Sequence, residues 1–164
     1  MTGSERWDGT EDRQIVVHRV IAGPRRLVFK AWTEAKHLEA WWGPHGFSTT
    51  TNSFDFRPGG IWDFQMHGPD GTTYPNWVRW HEIVEPERIV YVQGSSADDP
   101  NAFVSSITFV ERAGGTEVTL RTLFNSKAQR DDVVERYGAL EGARQTLERL
   151  SEYLVTLASA GARV

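Results

Sequence analysis

The sequence predicts an α+β fold, in which a few helices are segregated from one antiparallel sheet. Three observations support this class. A β-branched strand begins the folded part of the chain, six further strand-like segments follow in one series, and the C-terminal part is helical in its period. No repeat or linker interrupts the 164 residues. We therefore expect a single domain at residues 14–158, after a flexible polar tail at residues 1–13.

One strand and two short helices are predicted before Gly43 and Pro44. The segment QIVVHRVI, Gln14–Ile21, has the β-branched composition of a strand. Pro24 suits the first turn of a helix, and the apolar spacing that follows is broken near Thr33, a candidate N-cap. Two short helices therefore fit better than one long helix before Gly43 and Pro44.

The middle of the chain is predicted to form six strands joined by turns. FSTTTNSFDF is extended, RPGG is a turn, and IWDFQM alternates strictly, so that Trp62, Phe64 and Met66 share one face. The segments YPNWVRWHEIV, IVYVQG, AFVSSITFVE and TEVTLRTLF complete the series. In the first of these, alternation groups Trp77 with Arg79, His81 and Ile83, and the sequence does not decide whether that face is inward.

A helical period returns from about Lys127. Apolar residues recur there at steps of three and four, which predicts a long C-terminal helix with one buried face. They are Val133, Tyr137, Leu140, Leu147, Leu150, Leu154 and Leu157.

Composition and charge exclude several classes of function. The net charge is −4, the pI is near 5.7 and no long basic run occurs, so we expect no nucleic-acid partner and no membrane attachment. The absence of cysteine removes disulfides and thiolate metal sites. The five histidines form no metal-binding motif, so no metal or cofactor is expected. Because neither a signal peptide nor a membrane span is found, we expect a cytoplasmic protein.

Two adjacent tryptophans, Trp41 and Trp42, end the second short helix in the stretch EAWWGPHGF. Neighbouring side chains on a helix diverge by roughly 100°, so one buried face does not easily hold both indoles. We expect one indole to anchor the helix on the sheet and the other to lie at the mouth of a cavity. In the alternative, both indoles fill the core.

Three motifs in this order resemble the domain of the activators of heat-shock-protein ATPase, a branch of the helix-grip, START-like (SRPBCC) superfamily. They are AWWGPHGF, then FDFRPGGIWDF with Asp55, Arg57, Gly59, Gly60 and Trp62, then HEIVEPERIV. The resemblance covers residues 14–157. It implies a curved seven-stranded antiparallel sheet that wraps a long C-terminal helix, with a cavity between them. The family name also implies a role in stress response.

Taken as residues alone, these motifs predict turns rather than chemistry. Gly59 and Gly60 precede a strand and not a helix, so they do not form a phosphate-binding loop. The chain departs from the family pattern in the last helix, where Gly142 and Ala143 stand in place of the Gly-Trp that the branch often has. The missing indole would enlarge the cavity or thin its wall.

The leading hypothesis from the resemblance is that a hydrophobic or aromatic small molecule binds in this cavity. If the face of Arg79 and His81 is inward, a cation and an imidazole would lie inside it. The expected lining residues are Trp41, Trp62, Phe64, Met66, Trp77, Arg79, His81, Phe109, Leu120, Tyr137, Leu147 and Leu150.

Two alternatives stay open at this point. The wider superfamily includes polyketide cyclases and aromatases, and a cavity enzyme of that type would use His81 as its acid or base, with Glu82 or Asp63 nearby. The other alternative is a co-chaperone-like domain that binds a protein partner, or a homodimer. Eukaryotic activators add an N-terminal domain where this chain has a short polar segment, which disfavours ATPase activation.

Overall fold

The computed structural model describes residue 7 and residues 9–162, with only the backbone of residues 160–162. The described chain forms seven strands, four α-helices and one 3-10 turn. In chain order these are the 3-10 turn Glu11–Arg13, β1 Gln14–Ile21, α1 Arg25–Lys30, α2 Ala35–Trp41, β2 Ser48–Phe54, β3 Ile61–His67, β4 Thr73–Val84, β5 Arg88–Gly94, β6 Phe103–Arg112, β7 Gly115–Leu123, α3 Lys127–Tyr137 and α4 Ala139–Ala162.

All seven strands pair antiparallel in one sheet of order β1-β7-β6-β5-β4-β3-β2. Each strand from β2 to β6 pairs with the next strand in the chain, and β1 completes the sheet beside β7 along its whole length. Helix α4 packs on β1, and α2 contacts both β2 and α4. The predicted α+β class and helix-grip fold are therefore confirmed.

Aromatic rings form most of the core between the sheet and the helices. Trp62 and Phe64 of β3 are fully buried and stack on each other, with ring centroids 3.6 Å apart. Phe29 of α1 meets Phe109 of β6 edge to face at 5.2 Å. Aromatic pairs of this kind contribute about 0.5–1.5 kcal/mol each beyond the area that they bury. Leu150, fully buried on α4, belongs to the same core.

A β-bulge at His81 changes the facing of residues along β4. The pair Trp80–Tyr91 is followed by Glu82–Val90, so His81 has no partner on β5. Trp80 is fully buried and His81 is exposed, whereas Ile83 beyond the bulge packs against the core. The strict alternation that the sequence predicts for this strand is wrong past residue 80, because a bulge adds one residue to one strand of the pair.

The C-terminal helical segment is broken once. Helix α3 ends at Tyr137, and Gly138 adopts a left-handed conformation with φ 62° before α4 begins at Ala139. Glycine is the residue that such a helix ending favours, since it carries no Cβ. Helix α3 has 11 residues and buries none of them, whereas α4 has 24 residues. The long helix of the fold is therefore α4 alone.

In contrast to the sequence-based prediction, Thr33 is not the N-cap of the second short helix. Helix α2 has Glu34 as its N-cap, whereas the hydroxyl of Thr33 donates to the carbonyl of Lys30 at 2.8 Å, at the end of α1. Residues 1–6 and 8 of the predicted flexible tail lie outside the described residues. Within the rest of that segment, Trp7 is buried, and its flexibility stays a prediction.

Candidate functional site

A cavity of about 790 Å³ lies between the inner face of the sheet and α4. Strands β4 to β7 form one wall, α4 forms the opposite wall, and the end of α2 and part of α3 contribute to its lining. Aromatic and aliphatic side chains dominate this lining. They are Ile15, Trp32, Trp41, Trp42, Phe47, Met66, Tyr74, Tyr91, Phe103, Leu120, Phe124, Val133, Tyr137 and Leu147.

Small residues on one face of α4 leave the space open. Ala139, Gly142, Ala143 and Thr146 all line the cavity, and their spacing of three and four places them on a single helix face. Two of them, Gly142 and Ala143, are the positions where the sequence departs from the family pattern. A Cβ at Gly142 would already lie 3.4 Å from the ring of Pro44, so this helix face runs close to the Gly-Pro segment.

The adjacent tryptophans point in different directions because the helix ends between them. Trp42 is the C-cap of α2 and has an extended backbone, with φ −64° and ψ 132°. Its ring meets Trp62 of β3 edge to face at 5.0 Å, so Trp42 is the indole that anchors the helix end on the sheet. The ring of Trp41 packs on Trp32 at 4.6 Å, and its Nε1 donates to the carbonyl of Ala31 at 3.2 Å. Both indoles are buried, and both line the cavity.

Helix α4 holds the Gly-Pro segment that follows the tryptophans. One guanidinium nitrogen of Arg149, Nη1, lies within 3.0–3.1 Å of three carbonyl oxygens, those of Trp42, Gly43 and Pro44. The side-chain oxygen of Gln145 accepts a hydrogen bond from the backbone amide of His45 at 3.1 Å. A cation is favourable at carbonyl oxygens next to the C-terminal end of a helix. This edge of the cavity is therefore fixed to α4.

A buried histidine makes a second contact between α2 and α4. His37 is 5% exposed, and its Nδ1 lies 2.6 Å from the hydroxyl oxygen of Tyr153 on α4. Its Nε2 lies 3.0 Å from a carboxylate oxygen of Glu34. Burial lowers the pKa of His37 from 6.5, and the attraction of Glu34 offsets only part of this effect. The folded protein therefore favours the neutral imidazole.

This histidine predicts how stability depends on pH. The folded-state pKa of His37 is lowered, so below pH 6.5 the unfolded chain binds a proton that the folded protein resists, and stability decreases as the pH falls. We expect urea unfolding between about pH 7.5 and 5 to show a shallower loss of stability for His37→Gln than for the wild type. Equal slopes for the wild type and His37→Gln would contradict the assignment.

Three hydroxyl groups form a polar row within the sheet wall of the cavity. Tyr91 on β5 pairs with Ser105 on β6, and Ser105 pairs with Thr122 on β7, so the three occupy one cross-strand row. The Ser105 and Thr122 hydroxyl oxygens are 3.2 Å apart. Burial raises the pKa of Tyr91, and the neighbouring Ser105 hydroxyl opposes this only in part, so the phenol is neutral.

Three further polar side chains of the cavity wall, those of Asn76, Gln93 and Asp99, are bonded to the protein itself. The side-chain amide of Gln93 donates to the Asn76 side-chain oxygen at 3.0 Å. The carboxylate of Asp99 accepts the backbone N–H groups of Ser95 and Asn101, each at 2.8 Å, and these bonds lower its pKa. Asp99 is the one carboxylate among the described lining residues, which include no lysine, arginine or histidine.

The structure brings five of the twelve predicted lining residues to the cavity and leaves seven elsewhere. The five are Trp41, Met66, Leu120, Tyr137 and Leu147. Four others are buried in the core beyond the cavity wall, namely Trp62, Phe64, Phe109 and Leu150. The remaining three, Trp77, Arg79 and His81, are not lining residues. Arg79 and His81 are exposed on the outer face, and the Arg79 guanidinium lies 5.9 Å from the Trp77 ring centre.

Several lining residues were not among those expected from the sequence. The row Tyr91, Ser105 and Thr122 could have been found by extending the face of Leu120 across the neighbouring strands, because cross-strand partners share a face. The sequence indicates less clearly that Trp32 and Trp42 line the cavity, because a tryptophan next to a helix end is equally suited to the core. Their place at the cavity depends on how α1 and α2 dock.

The acid or base candidates of the enzymatic alternative do not converge in the cavity. His81 and Asp63 are exposed, and Asp63 accepts a hydrogen bond from the side-chain amide of Asn52 at 3.1 Å. Glu82 is bonded to the guanidinium of Arg88. Among the described residues, no group of three or more histidine and carboxylate side chains is placed to hold a metal ion.

A smaller hollow of about 370 Å³ lies elsewhere, between β1 and α4. Charged and polar side chains make up much of its lining, including His18, Arg19, Glu141, Arg144 and Glu148. Its lining contains no tryptophan, tyrosine or phenylalanine. The larger cavity, with its aromatic lining, is therefore the candidate site.

A seven-stranded sheet that holds a long C-terminal helix, with a cavity between them, defines the helix-grip architecture. Residues 22–155 match the model of the family described as Activator of Hsp90 ATPase homolog 1-like protein. Because the match spans most of the chain, the chain belongs to this family, and the resemblance seen in the three sequence motifs is confirmed.

Solved structures support the same fold over nearly the whole chain. Protein NE0264 from Nitrosomonas europaea has a TM-score of 0.81 at 25% identity, covering 92% of this chain and 98% of that one. Protein Ms6760 from Mycobacterium smegmatis has a TM-score of 0.80 at 26% identity, with 90% and 94% covered. A protein from Arthrobacter aurescens has a TM-score of 0.81 at 23% identity, with 91% and 90% covered. No curated protein matches this chain. Among the described helices, none is both long and apolar enough to cross a membrane.

Proposed function

We propose that this chain binds a hydrophobic or aromatic small molecule in the cavity between the sheet and α4. The observation that carries the proposal is the cavity itself, at about 790 Å³ and lined mainly by aromatic and aliphatic side chains. Small-molecule sites are typically clefts of about 300–1,000 Å³ with mostly apolar walls and a few placed polar groups. The cavity meets each of these criteria.

The packing around the cavity supports a binding role over an accidental void. Protein interiors are normally close-packed, with few spaces larger than a water molecule. Here the wall is held in place on the α2 side by Arg149, whose guanidinium bonds to the carbonyls of residues 42–44. On the α4 side, Gly142 and Ala143 leave the space unfilled. The open volume thus depends on specific residues of the chain.

The enzymatic alternative has less support than the binding role. A cavity enzyme of the polyketide cyclase or aromatase type needs an acid or base within reach of a bound molecule. The candidate named from the sequence, His81, is exposed on the outer face of β4. No observation on the described residues favours the co-chaperone alternative over ligand binding.

Titration with the neutral fluorophore N-phenyl-1-naphthylamine tests the proposal, together with native mass spectrometry of the protein as purified. We expect saturable one-to-one binding with increased, blue-shifted emission, because the probe moves from water into an apolar cavity. His81→Ala should bind the probe as the wild type does. A linear, unsaturated titration and a mass with no retained ligand would count against the proposed function.

A further inference from the structure

We propose that the cavity selects a neutral aromatic ligand carrying a hydroxyl or carbonyl oxygen, which hydrogen-bonds to the row formed by Tyr91, Ser105 and Thr122. This inference rests on the proposed function and adds the chemical class of the ligand and the residues that recognise it. Three features carry it: unused hydrogen-bonding capacity in the row, the absence of a cation in the described lining, and the aromatic composition of the walls.

The row has more hydrogen-bonding capacity than its own contacts use. Each hydroxyl offers one O–H donor and two acceptor lone pairs. The Ser105–Thr122 contact at 3.2 Å is the hydrogen bond that the described structure shows within the row. Three donors serving one contact leave two donors, together with several lone pairs, in the wall of the cavity. A ligand oxygen at this position would satisfy one of these donors, since buried polar groups are costly when unpaired.

The charges around the cavity disfavour an anionic ligand. None of the described lining residues is a lysine, arginine or histidine, so a carboxylate inside the cavity would have no opposite charge. Arg149 is close by, but its guanidinium nitrogen is bonded to three backbone carbonyls. The carboxylate of Asp99 lies in the cavity wall and would repel an anion. Burial of an unpaired charge is far more costly than burial of a hydroxyl that finds a partner.

The walls suit flat rings better than flexible chains. Trp32, Trp41 and Trp42 line the cavity on the helix side, and Phe103 and Phe124 line it on the sheet side. Aromatic rings pair favourably in offset and edge-to-face geometries, and a rigid ligand loses less conformational freedom on binding than an alkyl chain does. An aromatic ligand with one polar oxygen therefore matches both the walls and the row.

Displacement of bound N-phenyl-1-naphthylamine by three matched compounds at pH 7 tests this inference. Naphthalene, 2-naphthol and 2-naphthoate share one ring system and differ in having no polar group, a neutral hydroxyl or a carboxylate. We expect 2-naphthol to displace the probe at about fivefold lower concentration than naphthalene, as one net hydrogen bond predicts. The carboxylate should need at least about tenfold more than 2-naphthol.

Variants separate the hydroxyl row from the rest of the cavity. Thr122→Val and Tyr91→Phe should each reduce the advantage of 2-naphthol over naphthalene, measured as the ratio of the two displacing concentrations in the same variant. Thr119→Val is the matched control, because Thr119 lies on the same strand as Thr122 but does not line the cavity. In that variant the full advantage should remain.

The outcomes distinguish this inference from the function on which it rests. If the probe does not bind, both fail. If the probe binds but the three compounds displace it equally, or 2-naphthoate is the strongest competitor, the neutral-ligand inference is overturned and the binding function stands. If Thr119→Val removes the advantage as fully as Thr122→Val does, the assignment to the row is overturned.

Discussion

Ala143→Trp is expected to weaken probe binding at least about tenfold and to leave the fold intact. Residue 143 faces the cavity from α4, so an indole there would occupy the space that a ligand needs. Loss of the contacts of even one ring, about 1.5 kcal/mol or more, weakens binding at least about tenfold. The free energy of unfolding should stay the same or increase, because filling a cavity buries apolar surface without displacing packed side chains.

Val155→Trp provides the matched control for this prediction. Val155 lies on the same helix, is 64% exposed and does not line the cavity, so a tryptophan there adds the same indole at the surface. It should bind N-phenyl-1-naphthylamine as the wild type does. Unchanged probe affinity in Ala143→Trp, with an unfolding curve like that of the wild type, would mean that the probe binds elsewhere.

Gly60→Ala is expected to have the largest effect on stability. A Cβ at residue 60 would lie 2.1 Å from the carbonyl oxygen of Asp55 and 3.0 Å from that of Arg57, distances that only a backbone shift can relieve. The same glycine accepts a hydrogen bond from the amide of Trp80 at 3.0 Å, so the shift would disturb the pairing of this turn with β4. We expect a loss of at least about 3 kcal/mol, measured by urea unfolding followed by tryptophan fluorescence.

Gly59→Ala is the control that distinguishes the steric contact at residue 60 from the cost of a side chain at a positive φ. Gly59 has φ 84°, and no heavy atom lies within 4 Å of a Cβ built there. Its replacement should therefore lose only about 1 kcal/mol, the cost of a side chain in the left-handed region. If the two variants lost the same stability, the role assigned to the space around Gly60 would be wrong.

The sequence is sufficient to predict the fold because local signals agree with one another. The alternation of IWDFQM predicts the buried face of β3, and Trp62 and Phe64 are indeed fully buried on it. Asp55 and Arg57 are two residues apart in FDFRPGG, and they pair, with Arg57 Nε donating to Asp55 at 2.6 Å. These features depend on neighbours in the chain, which periodicity and turn chemistry report directly.

The site is less predictable because it depends on which segments meet in space. Nothing in WVRWHEIV shows that His81 forms a bulge, and the bulge determines where the residues after Trp80 face. Whether a buried apolar residue lines the cavity or fills the core depends on how closely the helices pack on the sheet. Trp62 and Met66, on the same face of β3, differ in this way: Met66 lines the cavity and Trp62 does not.

The most direct test of the central claim is a two-dimensional proton–nitrogen NMR titration of the tryptophan indole signals with N-phenyl-1-naphthylamine. The seven tryptophans are assigned by substituting them one at a time with phenylalanine. A ligand in the cavity should shift the indole signals of Trp32, Trp41 and Trp42, which line it, and leave that of Trp77 on β4 unmoved. Shifts at Trp77 with unchanged signals from the three lining tryptophans would contradict binding between the sheet and α4.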